Sequence, residues 1–236
     1  MLITVVNHEH NAEAVALSGR LAPFGDVVSI DSGSKLEDHL IDAFDLKLPN
    51  VYYTGLLNVA VEQAVERGHD ELLFICSDVS ISDCDFLVAK AREALADDEV
   101  GCFAPCVPGS PHLQMRPRGS GSMREVAFVE GMCFAARIGL LRKFCPVDTK
   151  VNLYGYGLDV VLGYHAMKEN MKSVVDDRVR VHHPRETGYD TESATAHQNR
   201  WLAAQGREVL RFNRLTRMDF FQTRLGFGLL RKFYWG

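Results

Sequence analysis

The 236 residues are 47% hydrophobic and 24% charged, which is typical of a soluble globular protein with one large domain and room for a C-terminal extension. No run of about 18 apolar residues occurs, which excludes a membrane-spanning helix, and the first residues lack the basic region and apolar core of a signal peptide. The net charge of −5 is unevenly divided, because residues 196–236 carry eight Arg or Lys against two acids, a net +6, and the rest carries −11.

Strand-like and helix-like segments alternate over the first hundred residues. Short apolar runs predict strands at residues 2–6, 26–30, 72–75 and 100–107, and apolar residues at helical spacing predict helices at 12–21, 50–67 and 83–96. Gly68 is expected to end the second of these helices as its C-cap. The alternation predicts an α/β fold in which helices flank a mostly parallel central sheet.

The second half of the chain begins with a different composition. Residues 108–122 are rich in Pro, Gly and Ser and include Arg116 and Arg118, which is typical of a surface loop or lid. The segments after it predict a strand at 126–136, helices at 138–144 and 160–170, and short strands at 173–175 and 178–181.

Two carboxylates follow predicted strands. Asp78 comes after the apolar run at 72–75, and a carboxylate at the carboxyl end of a central strand suits a divalent cation shared with a phosphate. Asp31 follows the strand at 26–30, where a carboxylate can accept hydrogen bonds from a base or a ribose. Each is equally compatible with a turn residue that bonds its own backbone.

Two further positions have chemical potential. Asp159 follows a Gly-containing turn at a predicted helix start, so it is either a first-turn residue stabilised by the helix dipole or a general base. His182 and His183 end a predicted strand, and imidazole is a common metal ligand. Adjacent strand residues point to opposite faces, so at most one of the two histidines can serve a given site.

These elements occur in one order that resembles the inverting family-2 glycosyltransferases with the GT-A fold, over roughly residues 2–185. The segments that carry the resemblance are Asn7-His-Glu-His-Asn11, Ile30-Asp31-Ser-Gly-Ser34, Asn50 through Gly55 to Asn58, Phe74-Ile-Cys76-Ser-Asp78-Val, Gly131-Met-Cys-Phe-Ala-Ala-Arg137, Tyr156-Gly-Leu-Asp159 and Val179-Arg-Val-His182.

The resemblance implies a metal-dependent transfer of a sugar from a nucleotide-diphosphate donor to an acceptor hydroxyl. Asp159 would be the catalytic base, Asp78 and His182 would hold Mn²⁺ or Mg²⁺, and the lid arginines Arg116 and Arg118 would close over donor or acceptor. The residues expected to bind the nucleotide sugar are Asn7, His8, Glu9, Asp31, Asn58, Ser77, Asp78 and Gly131.

Two departures keep other functions open. Cys76 stands at the first acidic position of the metal motif, and Leu158 replaces the usual Glu before the catalytic Asp. Both favour the alternative of a degenerate, non-catalytic binding protein. A sugar nucleotidyltransferase is the remaining enzyme alternative, but residues 7–11 lack the glycine-rich loop expected there. The misplaced Gln198 before Arg200-Trp201 argues against a processive polysaccharide synthase.

The chain is therefore divided into a GT-A-like domain at 1–195 and a basic amphipathic helical extension at 196–236. The basic, aromatic extension predicts contact with a membrane surface and a lipid-linked or free saccharide acceptor, or else packing on the catalytic domain or a homodimer partner. Nucleic acid is not an expected partner. The six cysteines lack zinc-site spacing and predict reduced thiols in a cytoplasmic protein, peripheral on the inner face of the membrane if the extension binds lipid.

Overall fold

The structure is a computed structural model that describes residues 1–184 and 190–235; residues 185–189, which the predicted 1–195 domain includes, and Gly236 lie outside it. The strands are β1 (Leu2–Asn7), β2 (Val27–Ser32), β3 (Leu46–Leu48), β4 (Glu71–Cys76), β5 (Ser80–Ile81), β6 (Val100–Cys106), β7 (Met123–Val126), β8 (Cys133–Arg137) and β9 (Lys172–His182). The helices are α1 (Asn11–Leu21), α2 (Tyr52–Glu66), α3 (Cys84–Leu95), α4 (Ile138–Leu141), α5 (Leu158–Lys168), α6 (Thr191–Ala204), α7 (Arg207–Thr216) and α8 (Arg224–Trp235).

The described strands form a sheet in the order β3-β2-β1-β4-β8-β6-β9-β5, with β7 paired to β9. The predicted helix-flanked α/β sheet is confirmed, and β3, β2, β1 and β4 are parallel. The sheet is more mixed than predicted, because β8 runs antiparallel to both β4 and β6. A parallel return needs a long crossover, usually a helix, and the chain between β6 and β8 contains only a 3₁₀ turn and β7.

The core lies on both faces of this sheet. β1 is buried along its whole length and the four central residues of β4 are buried, which explains why these strands read as continuous apolar runs rather than as alternating patterns. Helices α1, α2 and α3 pack on β1, β4 and β6 respectively. The carboxyl ends of β1, β2 and β4 meet at one edge, since Val6 pairs with Cys76 and Asn7 pairs with Asp31.

Two predicted strand boundaries differ in the structure. The apolar stretch at 126–136 is divided between β7 and β8, with a connection at residues 127–132 of which 127–130 are buried. The two short strands at 173–181 are one continuous β9, because Asp176 and Asp177, which suggest a break, are buried with partners. Asp176 pairs with Arg178 at 2.7 Å, and Asp177 pairs with Arg124 at 3.0 Å.

The predicted lid is partly anchored. Gln114 and Met115 of its 3₁₀ turn are buried, and the Gln114 side chain donates to the Phe128 carbonyl at 3.2 Å and accepts from the Ala127 N–H at 3.1 Å. Only part of the 108–122 segment is therefore a surface loop.

The C-terminal helices pack on the sheet domain. Trp201 of α6, Phe212 of α7 and Leu230 of α8 are buried in the same hydrophobic core as the strands. The predicted boundary after residue 195 falls inside α6. Among the described residues, no helix is both long enough and apolar enough to cross a bilayer.

Candidate active site

A network of buried polar side chains joins the ends of β4, β1 and β2. The Ser77 hydroxyl donates to Asn7 Oδ1 at 2.8 Å, and Asn7 Nδ2 donates to Asp31 Oδ1 at 2.9 Å. The Ser34 hydroxyl and backbone N–H also donate to the Asp31 carboxylate. Three residues predicted to bind a nucleotide sugar are thus brought together, and their hydrogen bonds fix the strand ends.

The exposed loop beyond this network carries the other two predicted residues of the first motif. His8 Nδ1 lies 2.7 Å from the Ser32 carbonyl oxygen, so Nε2 is the ring nitrogen left for solvent or ligand. The Glu9 N–H donates to Ser34 Oγ at 2.7 Å, and a Glu9 carboxylate oxygen accepts from the Lys35 N–H at 3.1 Å. These bonds tie the loops after β1 and β2 into one surface.

Asp78 is in contact with His183, the residue that follows β9. His183 Nε2 lies 3.1 Å from Asp78 Oδ2, and both side chains are about three-quarters buried. Burial opposes protonation of His183, but the hydrogen bond and charge of Asp78, with the charge of Glu130, raise the pKa of His183 above its usual value. The sequence prediction named His182, which is exposed and pairs with Ser80 in the β5–β9 ladder. Strand alternation directs His183, rather than His182, to Asp78.

The Asp78–His183 pair fits a hard divalent cation in one specific respect. Asp78 Oδ1 is buried and has no hydrogen-bond partner among the described residues, so a carboxylate oxygen is available as a ligand. The described residues contain no group of three His, Cys, Asp or Glu side chains arranged for a metal. A cation bound there would replace the proton between His183 Nε2 and Asp78, so that the imidazole is neutral and free to ligate. Substrate phosphates and water would complete the coordination of Mg²⁺ or Mn²⁺.

A cleft of about 830 Å³ opens beside this pair. Its wall includes His183, Glu130, Gly131 and Asp159 from the sheet domain, the lid residues Ser110, His112 and Arg116, and residues of the C-terminal helices, namely Thr195, Gln198, Asn213 and Arg217. Lid, sheet edge and C-terminal helices therefore enclose one cavity large enough for a sugar ring and its substituents.

The turn before α5 positions Asp159 in this cleft. Gly155 and Gly157 have positive φ, and a Cβ on Gly155 would lie 2.1 Å from the Tyr53 ring, so the turn needs glycine there. The buried Asn152 side chain accepts from the Gly155 N–H and donates to the Tyr156 carbonyl. Asp159 is then the second residue of α5, and its carboxylate accepts from the Val160 N–H at 2.8 Å.

Burial raises the pKa of the Asp159 carboxyl from 3.8 to about 6, although backbone hydrogen bonds and the charge of Arg217 lower it. Such a carboxylate is ionised near neutral pH and is a stronger base than an exposed aspartate. The first-turn placement and the general-base interpretation are therefore compatible.

Glu130 is a cleft residue that the sequence prediction missed. Its side chain is 5% exposed, Oε1 accepts from the Ser110 hydroxyl at 2.6 Å, and Oε2 has no partner among the described residues. Burial raises the pKa of Glu130 to about 7, and the charge of Asp159 contributes to the rise. The sequence did contain a signal for this residue, since Glu130 is the only charged residue in the apolar stretch at 126–136.

Glu130→Gln is expected to stabilise the protein in alkaline buffer. A folded-state pKa of about 7 against an ordinary 4.5 means that stability is lost as the pH rises through this interval. Above pH 7 the ionised Glu130 lowers the free energy of unfolding by about 3 kcal/mol. The Glu130→Gln variant does not suffer this loss, because its amide does not ionise. Urea unfolding at pH 4.5 and pH 8 measures it, with the exposed Glu62→Gln as control. Parallel pH profiles for wild type and Glu130→Gln would contradict the assignment.

The remaining predicted residues have mixed placements. Gly131 lines the cleft, and its carbonyl accepts from the Tyr53 hydroxyl at 2.7 Å. Asn58 is not brought to the cleft, because both ends of its amide bond the Val147 backbone at 2.8 Å.

Of the two lid arginines, Arg118 points away from the cleft. Its side chain donates to the Gln222 carbonyl and its backbone N–H donates to Asp177, which ties the lid to the C-terminal segment. Arg116 lines the cleft as predicted for a lid residue.

Comparison by sequence finds no family model and no curated protein that matches the chain. Comparison by structure finds GalNAc-T7 with UDP, GalNAc and Mn²⁺, at TM-score 0.62 and 12% identity over 98% of this chain, which spans 54% of that protein. A mannosyltransferase from Pyrobaculum calidifontis with GDP-Man and Mn²⁺ has TM-score 0.58 and 16% identity over 98% of this chain and 74% of its own. Glucosyl-3-phosphoglycerate synthase from Mycobacterium tuberculosis has TM-score 0.56 and 12% identity, over 86% of this chain and 77% of its own.

The chain has a GT-A fold. The resemblance stated from the ordered motifs is confirmed at the level of fold, and the three neighbours are glycosyltransferases solved with a nucleotide or nucleotide sugar and Mn²⁺. With identities of 12–16%, the GT-A fold is what the chain shares with them, and its activity has to be argued from its own side chains.

Proposed function

We propose that this protein is a metal-dependent, inverting glycosyltransferase that moves a sugar from a nucleotide-diphosphate donor to an acceptor hydroxyl. The observation that carries the proposal is the cleft that has Asp159, with a pKa of about 6, and His183, the partner of Asp78, in its wall. A base for the acceptor and a site for the donor phosphates are the two components that such a transfer needs.

The donor nucleotide is assigned to the edge formed by β4, β1 and β2. Asn7, Asp31 and Ser77 hold the strand ends, and the exposed His8 and Glu9 offer polar groups to the base or ribose. Ligands of open α/β sheets bind outside the carboxyl ends of the strands, which favours this edge.

The diphosphate is assigned to Asp78 and His183. A divalent cation bound there would act as a Lewis acid and offset the charge that develops on the departing nucleoside diphosphate. His183 thereby takes the role that the sequence prediction gave to His182.

Asp159 is assigned the proton transfer. Its carboxylate accepts the proton of the acceptor hydroxyl, whose oxygen forms a bond to the anomeric carbon from the face opposite the diphosphate. The bond between the anomeric carbon and the diphosphate oxygen breaks with its electron pair on the nucleotide, and the configuration inverts. The lid residue Arg116 and the cleft residues Gly131 and Glu130 surround the reacting sugar.

A donor-turnover assay tests the function. The full chain is incubated with UDP-sugars and GDP-sugars in Mn²⁺, with and without a mixture of simple glycosides, and nucleoside diphosphate release is followed. We expect release from at least one donor, accelerated by an acceptor. If wild type releases no nucleotide from any donor but still binds one, the alternative of a non-catalytic binding protein is correct.

We infer that the C-terminal segment also contacts a membrane surface, which would bring the cleft to lipid-linked acceptors. Of the five large hydrophobic residues that are exposed in the described part of the chain, three lie in this segment: Met218 at 50%, Phe220 at 45% and Leu229 at 40%. Exposed Arg211, Arg214 and Lys232 provide positive charge for anionic lipid. All six cysteines are free thiols, which favours a cytoplasmic setting.

The double substitution Phe220→Ser and Leu229→Ser is expected to reduce sedimentation with vesicles of anionic phospholipid several-fold. The loss follows from removal of two exposed apolar side chains that would enter the interface. Phe86→Ser is the matched control, since Phe86 is 37% exposed on α3. Equal sedimentation of the three proteins would rule out this surface as the membrane contact.

A further inference from the structure

Two arginines face the same cleft from different parts of the chain. Arg116 belongs to the lid, and Arg217 is the C-cap of α7. Arg116 Nε donates to the Ser110 carbonyl at 2.6 Å, and a terminal nitrogen of Arg217 donates to Gln198 Oε1 at 2.9 Å. Both anchors are neutral, and neither guanidinium has an ion pair with a carboxylate among the described residues. Two positive charges therefore remain available to a ligand.

Arg217 lies on the side of the cleft formed by the turn that carries Asp159. Its charge lowers the pKa of Asp159 and, after the larger effect of burial, that of His112. Gln198, which accepts the hydrogen bond from Arg217, lies against the turn before α5, since a Cβ on Gly157 would be 3.1 Å from Gln198 Nε2. Because Asp159 is assigned to the acceptor and His183 to the donor diphosphate, Arg217 is on the acceptor side of the cleft.

The wall around Arg217 is polar and uncharged. Thr195, Gln198 and Asn213 line the cleft from α6 and α7, and Asn213 Oδ1 is buried without a partner among the described residues. No carboxylate from these helices lines the cleft to neutralise Arg217. On this side of the cleft an incoming anion would meet hydrogen-bonding groups and two guanidinium groups. The two cleft carboxylates named above are Asp159, which would face the reacting hydroxyl, and Glu130, whose Oε1 accepts from the Ser110 hydroxyl.

We propose that the acceptor carries a phosphate group and that two arginines bind this phosphate, Arg116 from the lid and Arg217 from the C-terminal end of α7. The inference rests on the proposed glycosyl transfer and adds the chemical class of the acceptor. Phosphate is favoured over a carboxylate because a single guanidinium can satisfy both carboxylate oxygens, whereas the three free oxygens and double charge of a phosphate ester can engage two.

A binding experiment on the full chain tests this acceptor class. The protein is saturated with a nucleoside diphosphate and Mn²⁺, so that the donor phosphate site is occupied, and is titrated with glucose 1-phosphate, octyl glucoside 6-phosphate as a lipid-linked sugar phosphate, or methyl glucoside. We expect both phosphates to bind at least tenfold more tightly than methyl glucoside. The tighter of the two phosphates distinguishes a soluble sugar phosphate from a lipid-linked acceptor.

Matched variants locate the phosphate. Arg217→Gln and Arg116→Gln should each weaken phosphate binding by about tenfold or more and leave the nucleotide affinity unchanged, because a charged hydrogen bond is lost on the acceptor side only. The control is Arg207→Gln, since Arg207 is an exposed residue of the same helix outside the cleft wall, and this variant should change neither affinity.

The results test the phosphate-bearing acceptor and the glycosyltransferase function separately. Equal affinity for phosphates and methyl glucoside, or unchanged phosphate binding in both variants, would overturn the phosphate acceptor while nucleotide binding stands. Loss of nucleotide affinity in Arg217→Gln would also overturn it, because the arginine would then hold the donor diphosphate. Failure of every nucleoside diphosphate to bind wild type would refute the glycosyltransferase function itself.

Discussion

Asp159→Asn is expected to lower the rate of sugar transfer by about 10³-fold while nucleotide binding stays unchanged, the size expected for loss of a general base. The amide keeps the shape of the side chain and its place at the start of α5, but it cannot take a proton from the acceptor hydroxyl. The measurement is transfer under saturating donor, with the nucleotide affinity of both proteins determined by calorimetry.

The pH dependence of wild type supplies an independent check on Asp159. Its pKa is raised by burial to about 6, so the base is ionised above that pH and is protonated below it. We expect kcat/KM to fall about tenfold per pH unit below pH 6. Transfer at wild-type rates in Asp159→Asn, or a flat profile between pH 5 and 7, would remove Asp159 from the role of base.

His183→Ala and Asp78→Ala are expected to lower transfer by about 10²-fold or more and to raise the Mn²⁺ concentration needed for half-maximal activity, because each removes one of the two protein ligands proposed for the cation. The metal titration of activity measures both effects. His182→Ala is the matched control, since His182 is the adjacent imidazole but is exposed on the opposite side of β9.

The reverse pattern would contradict this assignment. If His182→Ala changed the metal requirement and His183→Ala did not, His182 would be the metal ligand, as predicted from the sequence. The contact between His183 and Asp78 would then not persist when the metal is bound. Unchanged metal dependence in Asp78→Ala would exclude this carboxylate from the metal site.

The order of elements was predictable because most of them carry local signals. The buried strands β1 and β4 are apolar along nearly their whole length, and Gly68, with positive φ just after α2, ends that helix as predicted. The acids of β9 misled the strand prediction, because sequence pattern does not reveal that Arg178 and Arg124 neutralise Asp176 and Asp177.

The candidate site was predictable only where its residues stand at the ends of strands or at the start of a helix. Asp31, Asp78 and Asp159 stand at element ends that the motif order identified. The choice between His182 and His183 depends on which of the two positions at the end of β9 faces Asp78. Two adjacent histidines give no sequence signal that distinguishes one face of the strand from the other. Asn58 was assigned from a motif, but its amide is used to hold the backbone of Val147.

Long-range packing supplied the residues that sequence reasoning missed. Glu130 reaches the cleft because the connection between β7 and β8 passes beneath the lid, and Arg217 reaches it because α7 folds back onto α5. Gln198 was noted only as a misplaced motif residue, yet its side chain anchors Arg217. The basic C-terminal segment therefore contributes part of the cleft wall, an arrangement that composition alone does not indicate.

Asp78 and His183 are proposed to hold a nucleoside diphosphate through a divalent cation, and calorimetric titration of UDP and GDP is the decisive experiment for this assignment. Wild type and Asp78→Ala are each titrated in Mn²⁺ and in EDTA. We expect at least one nucleotide to bind wild type with one-to-one stoichiometry in Mn²⁺, and EDTA or Asp78→Ala to weaken this binding by more than about tenfold. Absence of binding by either nucleotide, or binding that is indifferent to both Mn²⁺ and Asp78, would contradict it.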